Sequence, residues 1–170
     1  ARALGNVKQV IISNSVRVKD WLKALRLHQW LKNGLIFVPL LAAHKINDIG
    51  LLWQGLLAFV FFGMCASSVY LLNDLLDLAD DRHHNSKRNR PFASGKITIK
   101  SGLVVFPILL LSSFIGSVLL LPLAFASVLV GYYILTLLYS LWLKRQVAID
   151  VIALAILYTV RIIAGAAAFG

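Results

Sequence analysis

Residues 49–73 read IGLLWQGLLAFVFFGMCASSVYLLN and contain no charged side chain. At about 1.5 Å of rise per residue, a helix of this length crosses the roughly 30 Å hydrocarbon core of a bilayer. The whole chain suits the same environment, because 59% of its 170 residues are hydrophobic and only 14% are charged. The sequence therefore predicts an integral, multi-pass membrane protein in contact with membrane lipid.

Other apolar segments extend this prediction to five helices. Residues 101–143 are uncharged and about twice the length needed for one crossing, and Pro122 near their middle indicates a tight hairpin. A weaker span from residue 147 to 170 is interrupted by Asp150 and Arg161, and residues 34–43 are a short apolar segment. We predict an all-α membrane protein with helices at approximately 22–44, 49–79, 101–121, 123–143 and 147–169.

Positive charge is concentrated on one side of these spans. Residues 1–33 carry seven Lys and Arg residues, residues 82–100 carry six and residues 144–146 carry two, whereas the alternate connections around Lys45 and Pro122 carry one and none. Short loops rich in Lys and Arg stay in the cytoplasm, so we expect a cytoplasmic N-terminus. Because the formal charge of +10 lies in short segments between apolar runs, we expect anionic lipids or phosphorylated substrates and no nucleic-acid partner.

Four of the seven acidic residues fall between Asp74 and Asp81, directly after the uncharged run. At 100° per residue, Asp74, Asp77 and Asp81 share an arc of about 60° on a helix, and Asp80 points away from Asp74 and Asp81. Carboxylates crowded together at lipid depth require a compensating cation. Mg²⁺ prefers oxygen ligands and keeps positions open for phosphates, so these three aspartates are predicted metal ligands on the cytoplasmic side. The alternative is a solvated helix end whose acids pair with nearby basic residues.

Basic residues follow the aspartates and are candidate substrate ligands. Lys87, Arg88 and Arg90 can donate charge-assisted hydrogen bonds to phosphate oxygens. The alternative is that these cations face lipid headgroups. Asn73, next to Asp74, can supply a neutral amide at the same helical level.

Polar residues also interrupt the first and fifth predicted helices. Arg26, Gln29 and Asn33 have the i, i+3, i+7 spacing of one helix face, and Lys32 lies beside them. A polar stripe that enters a membrane bundle is expected to line a cavity and contact substrate. Arg161 lies deep within its span, where a buried acid or an anionic ligand must offset its charge.

Residues 73–81 also carry the pattern N-D-x-x-D-x-x-x-D, and KRNRPFASG follows at residues 87–95. In these residues the chain resembles the UbiA-type intramembrane prenyltransferase superfamily, whose first aspartate motif has this pattern and precedes a basic run ending in R-P-x-x-x-G. LHQWLKN at residues 27–33 and LYSLWLKRQVAID at residues 138–150 look most like the decaprenyl-phosphate phosphoribosyltransferases and their near relatives within that superfamily.

The resemblance implies a nine-helix bundle around a central cavity, with two aspartate-rich motifs that hold Mg²⁺ and a diphosphate. This sequence contains the first motif, so we expect residues 21–170 to be a partial transmembrane transferase domain, the N-terminal part of the bundle. Residues 1–20 are then a basic N-terminal segment or linker. Some members of the superfamily carry a soluble domain ahead of the membrane part, and a fused or associated soluble domain is an expectation here.

The resemblance also implies a reaction in which a diphosphate-bearing donor loses diphosphate and an acceptor attacks the electron-poor carbon. In the phosphoribosyl branch, which we favour, a 5-phosphoribosyl group passes from phosphoribosyl diphosphate to a polyprenyl phosphate. In the general branch, a prenyl group passes from a prenyl diphosphate to an aromatic or other lipid acceptor. A non-catalytic membrane subunit or a transporter is the alternative from a different functional class.

Overall fold

The computed structural model describes residues 17–142 and 147–170, with side chains in the last range described from Val151 onward, and the regular structure in these ranges is helical throughout. The predicted all-α architecture is confirmed. The predictions for residues 1–16, the basic loop at residues 144–146 and the Asp150 side chain lie outside this description. The α-helices are α1 (Val18–Ala24), α2 (Val38–Ala42), α3 (Ile49–Leu76), α4 (Leu78–His83), α5 (Ile99–Leu120), α6 (Leu123–Leu141) and α7 (Val147–Phe169), and two 3-10 helices span Leu27–Phe37 and Lys87–Asn89.

Four helices in the described ranges are long and apolar enough to cross a membrane: α3, α5, α6 and residues Val151–Phe169 of α7. The chain turns between α5 and α6 at Leu121 and Pro122, both of which have extended backbone angles. The helical region is disfavoured for a residue before proline, in agreement with the extended Leu121, whereas the helix continues through Pro107 within α5. The predicted hairpin is therefore confirmed.

The segment predicted as a first continuous helix, residues 22–44, has a different structure. It consists of α1, the long 3-10 helix and α2, and Arg26 between the first two has a left-handed backbone with φ 51°. Contacts with α3 account for this path: Trp30 Nε1 donates to Ser67 Oγ over 2.9 Å, and Ser67 Oγ donates to the Leu25 carbonyl over 2.8 Å. Tertiary hydrogen bonds thus override a regular helix here.

Helix α3 lies at the centre of the fold and packs against α5, α6, α7 and the long 3-10 helix. In an 18-residue apolar stretch of α3, 56% of the stretch is buried inside the protein, compared with 11% for the corresponding stretch of α5. Two glycines allow close approach to the 3-10 helix. A Cβ atom at Gly63 would lie 2.7 Å from the Trp30 ring, and one at Gly165 in α7 would overlap the Ile36 carbonyl oxygen. The 3-10 helix is thereby held against both α3 and α7.

Candidate active site

The aspartate motif lies where α3 ends and the chain changes direction. Asp77 separates α3 from α4 and has φ −86° and ψ 7°. Beside it is a cavity of about 300 Å³, here called the aspartate cavity, to which Asp77, Asp80 and Asp81 all contribute. The prediction that Asp80 points elsewhere is wrong, because it assumed one uninterrupted helix through Asp77. The other residues lining this cavity are Asn73, Leu76, Lys87, Ser140 and Leu141.

Asp74, the first residue of the motif, faces two arginines rather than the aspartate cavity. Its Oδ1 accepts hydrogen bonds from Arg26 Nη2 over 2.7 Å and from Arg90 Nη1 over 3.2 Å. The same Arg90 Nη1 donates to Asp81 Oδ2 over 2.7 Å. Asp74 and Asp81 are buried, with 3% and 1% of their surfaces exposed. The three aspartates therefore do not share one face as predicted. Asp74 and Asp81 both bind Arg90, whereas Asp77 and Asp81 both line the aspartate cavity.

The donor set nevertheless suits a divalent cation. Within residues 17–142 and 151–170, no three acidic, histidine or cysteine side chains stand close enough together to hold a metal ion directly. Oxygens of Asp74 and Asp81 do converge on one positively charged atom, Arg90 Nη1. Asp77 and the Asn73 amide lie at the same end of α3, and carboxylate and amide oxygens are ligands that Mg²⁺ accepts. These residues fit Mg²⁺ provided that Arg90 moves away and that Asp74 offers Oδ2, since Arg26 also donates to its Oδ1.

A second cavity of about 260 Å³ lies between α3, α6, α7 and the long 3-10 helix, and is here called the arginine cavity. It adjoins the aspartate cavity, because Asn73 and Ser140 line both. Among the residues whose side chains are described, none that line it carries a carboxylate. Its basic residues are Arg26, Lys32 and Arg161, its other polar residues are Tyr70, Asn73, Tyr132, Thr136, Tyr139, Ser140 and Tyr158, and its apolar residues are Ala66, Val69, Leu154 and Leu157.

Arg161 is the buried cation of the arginine cavity, with only 5% of its surface exposed. Its Nε donates to Asn33 Oδ1 over 3.1 Å, and its Nη1 donates to the Leu157 carbonyl. Within the described ranges Arg161 forms no ion pair with an acid, and the buried Asn33 Nδ2 has no hydrogen-bond partner. Three aromatic rings partly offset the charge, each with its centroid 5.5 Å from Cζ: Phe62, Tyr132 and Tyr158.

Residues 35–170 match the model of the UbiA prenyltransferase family. The chain belongs to the UbiA prenyltransferase family. Together with the four apolar helices of the described ranges, this membership establishes an integral membrane protein.

Individual relatives agree with this assignment. The chain is 43% identical over 148 residues to the uncharacterized protein y4nM of Sinorhizobium fredii, covering 87% of this chain and 28% of that protein. It is 36% identical over 150 residues to a decaprenyl-phosphate phosphoribosyltransferase of Mycobacterium tuberculosis, covering 86% of this chain and 49% of that protein. The chain thus spans half or less of the length of these curated relatives.

A solved structure shares the fold. The UbiA homolog from Archaeoglobus fulgidus bound to DMAPP and Mg²⁺ has a TM-score of 0.70 and 22% sequence identity, and the match covers 89% of this chain and 55% of that one. This likeness shows that the chain has the UbiA-type fold. The five predicted helices, as the partial bundle of a UbiA-type protein, agree with it except that the first is the broken segment described above.

The predicted polar stripe of the first segment is split between two places in this UbiA-type chain. Arg26 pairs with Asp74 and lies 4.7 Å from the Tyr70 ring centroid. Gln29 contacts His28 and lines a third cavity of about 220 Å³ together with Arg26 and Asp74, whereas Asn33 is buried against Arg161. The expectation of one shared helix face is wrong, because the left-handed Arg26 and the 3-10 helix change the angular spacing.

The remaining basic candidates differ in their surroundings. Lys32 lines the arginine cavity, with its Nζ 5.6 Å from the Tyr158 ring centroid. Lys87 lines the aspartate cavity. Arg88 is exposed, and it is not among the residues lining either cavity. Of these three cations, Lys32 and Lys87 therefore line the two cavities and Arg88 does not.

Sequence reasoning missed the contribution of α6 and most of that of α7. Tyr132, Thr136 and Ser140 line the arginine cavity at the i, i+4, i+8 spacing of one helix face. On α7, Tyr158 lies three residues before Arg161 and lines the same cavity. The available signal was a stripe of hydroxyl groups within otherwise apolar helices.

Proposed function

We propose that the full-length protein is a Mg²⁺-dependent intramembrane transferase that moves a 5-phosphoribosyl group from phosphoribosyl diphosphate to a polyprenyl phosphate. The observation that carries this proposal is the pair of adjoining cavities with opposite charge. The name of the Mycobacterium tuberculosis relative, a decaprenyl-phosphate phosphoribosyltransferase, supports the same reaction class. We further propose that the aspartate cavity opens to the cytoplasm, as the distribution of Lys and Arg predicts.

The aspartate cavity suits the diphosphate end of the donor. Asp77 and Asp81, with Asn73 and with Asp74 once Arg90 has moved, would hold Mg²⁺, and Lys87 can donate to a diphosphate oxygen. A bound Mg²⁺ would neutralise charge that develops on the leaving diphosphate. A bound Mg²⁺ and diphosphate would explain why three carboxylates and a lysine line the same cavity.

The arginine cavity suits the 5-phosphate and the ribose of the donor. A phosphate monoester would give Arg161 and Lys32 an anionic partner, which the described lining residues do not supply, and the lining hydroxyls can bond to the sugar. The tail of a prenyl donor is wholly apolar and would supply no counter-ion to the buried Arg161. This contrast favours the phosphoribosyl donor.

The proposed reaction exchanges one C–O bond for another. The bond between the ribosyl anomeric carbon and the diphosphate oxygen breaks, and the electron pair leaves with the diphosphate. A phosphate oxygen of the lipid acceptor then forms the new bond to that carbon, giving a phosphodiester. Asn73 and Ser140 line both cavities, so we expect the reacting carbon beside these two residues.

Prenyl transfer is the second candidate because one wall of the arginine cavity is apolar. Four residues make that wall: Ala66, Val69, Leu154 and Leu157. An allylic chain could lie against them while its diphosphate occupies the aspartate cavity. The acceptor would then be an aromatic or other lipid-soluble nucleophile.

A donor-choice assay separates these functions. Purified full-length protein with Mg²⁺ receives either labelled phosphoribosyl diphosphate with a polyprenyl phosphate, or a labelled prenyl diphosphate with an aromatic acceptor. We expect label in the polyprenyl product only, and loss of transfer when the metal is chelated. Consumption of the prenyl donor alone would replace this proposal with prenyl transfer, and no transfer from either donor would favour a non-catalytic role.

A further inference from the structure

Arg90 occupies an unusual position between two buried carboxylates. One nitrogen, Nη1, lies 3.2 Å from Asp74 Oδ1 and 2.7 Å from Asp81 Oδ2. Arg26 adds a second cation on Asp74, so two arginines offset two aspartates in this cluster. Taking either carboxylate out of water without a cation would be strongly destabilising, so the ion pairs explain how the aspartates stay buried.

We propose that Arg90 is a placeholder cation that holds Asp74 and Asp81 together when no metal is bound, and that it must leave for Mg²⁺ to bind. The proposal rests on the metal site of the proposed function. It adds a competition to that site, because both carboxylates that would ligate the metal, Asp74 and Asp81, already accept hydrogen bonds from Arg90 Nη1. Arg90 is thus a positioning residue for the metal ligands.

The loop that carries Arg90 is anchored, so the exchange requires movement of the side chain alone. Phe92 and Ile97 follow it and are each 1% exposed, in an apolar cluster with Ala24 and Leu71. Helix α5 approaches this anchor closely at Gly102, where a Cβ atom would lie 2.7 Å from the Phe92 ring. The backbone at residue 90 is therefore held in place on one side.

The Arg90 side chain also has a route out of the cluster. It is 28% exposed, whereas the Asp74 and Asp81 side chains are 3% and 2% exposed. When Arg90 swings toward solvent, Arg26 remains on Asp74 Oδ1 and keeps that carboxylate in position, so Asp74 would offer its other oxygen, Oδ2, to the metal. A second arginine on Asp74 therefore has a distinct role in the metal-bound state.

The proposal predicts that removing Arg90 strengthens metal binding. Mn²⁺ is titrated into detergent-purified full-length protein without substrate, and the free ion is measured by electron paramagnetic resonance. Because the metal no longer competes with two charge-assisted hydrogen bonds, Arg90→Gln is expected to bind Mn²⁺ about tenfold more tightly than wild type. Arg82→Gln is the matched control, since Arg82 is an exposed cation on α4 beside Asp81 and forms no ion pair within the described ranges.

A second variant and a second measurement guard against misfolding of Arg90→Gln. Arg90→Lys keeps the positive charge but loses the guanidinium geometry, and its Mn²⁺ affinity is expected between the other two. Without metal, Arg90→Gln should unfold at a lower temperature than wild type, and Mn²⁺ should raise that temperature more than it does for wild type.

The outcomes separate this proposal from the proposed function. Mn²⁺ binding by Arg90→Gln that is equal to or weaker than that of wild type overturns the placeholder role and leaves the metal site intact. Absence of Mn²⁺ binding by wild type and by every folded variant overturns both. If the Arg90 variants bound Mn²⁺ while wild type and Arg82→Gln did not, the result would support a competition in which Arg90 excludes the metal completely.

Discussion

The aspartate cavity and the arginine cavity adjoin at Asn73 and Ser140 but differ in charge and in how the chain builds them. The carboxylates of the first come from one short stretch, residues 77–81. The cations of the second come from two distant parts of the chain: Arg26 and Lys32 in the first segment, and Arg161 on α7. A local sequence motif can therefore supply the groups of the aspartate cavity. The arginine cavity, in contrast, depends on the tertiary packing of distant segments.

Removing a carboxylate from the aspartate cavity should have the largest effect. We expect Asp77→Asn to lower the turnover of the full-length enzyme by about a thousandfold or more, because the neutral amide no longer balances the metal charge. Membrane insertion and folding should be unchanged, as measured by detergent extraction and size-exclusion chromatography.

Asp48→Asn is the matched control for that variant. Asp48 lies at the opposite end of α3, where its side chain accepts a hydrogen bond from the Leu51 N–H, and asparagine caps helices about as well as aspartate. Its activity should match wild type. Mg²⁺-dependent turnover retained by Asp77→Asn would contradict the role of the aspartate cavity.

The arginine cavity should respond differently, through donor affinity. We expect Arg161→Gln to weaken binding of phosphoribosyl diphosphate by roughly 10- to 100-fold, because a buried charged hydrogen-bond donor is lost. Competition by ribose 5-phosphate should weaken in parallel, and Mn²⁺ affinity should not change. If Arg161→Gln bound the donor normally, the two cavities would not divide the ligand as proposed.

Packing around the arginine cavity provides a third test. Gly165→Ala would push a methyl group into the Ile36 carbonyl and separate α7 from the 3-10 helix, with an expected loss of about 1–3 kcal/mol in the free energy of unfolding. Gly131→Ala is the matched control, since nothing lies within 4 Å of a Cβ there and alanine favours the helix. Equal thermal stability of the two variants would argue against the tight contact.

Lys32→Ala should have the smallest effect. Lys32 is exposed although it lines the arginine cavity, so water screens its charge. We expect donor affinity to fall about threefold, compared with no change for Lys100→Ala, an exposed lysine at the start of α5. A larger loss than that of Arg161→Gln would reverse the ranking of the two cations.

The sequence predicted the long helices because uncharged runs of 20 or more residues favour few structures other than membrane helices. It also predicted that the aspartates and Arg161 belong to polar sites. It did not predict the left-handed Arg26 or the change of direction at Asp77, since both depend on contacts between distant segments. For that reason helical spacing placed Asp80 on the wrong side.

We propose above all that the metal and the diphosphate bind at the aspartates, and that a phosphate monoester binds at Arg161. The most direct test is a structure of the full-length protein with Mn²⁺ and phosphoribosyl diphosphate, with the metal located by its anomalous scattering. We predict an anomalous peak beside Asp77 and Asp81, and the 5-phosphate within hydrogen-bond distance of Arg161. A 5-phosphate at the aspartates, or an acidic side chain from the rest of the protein paired with Arg161, would contradict the account.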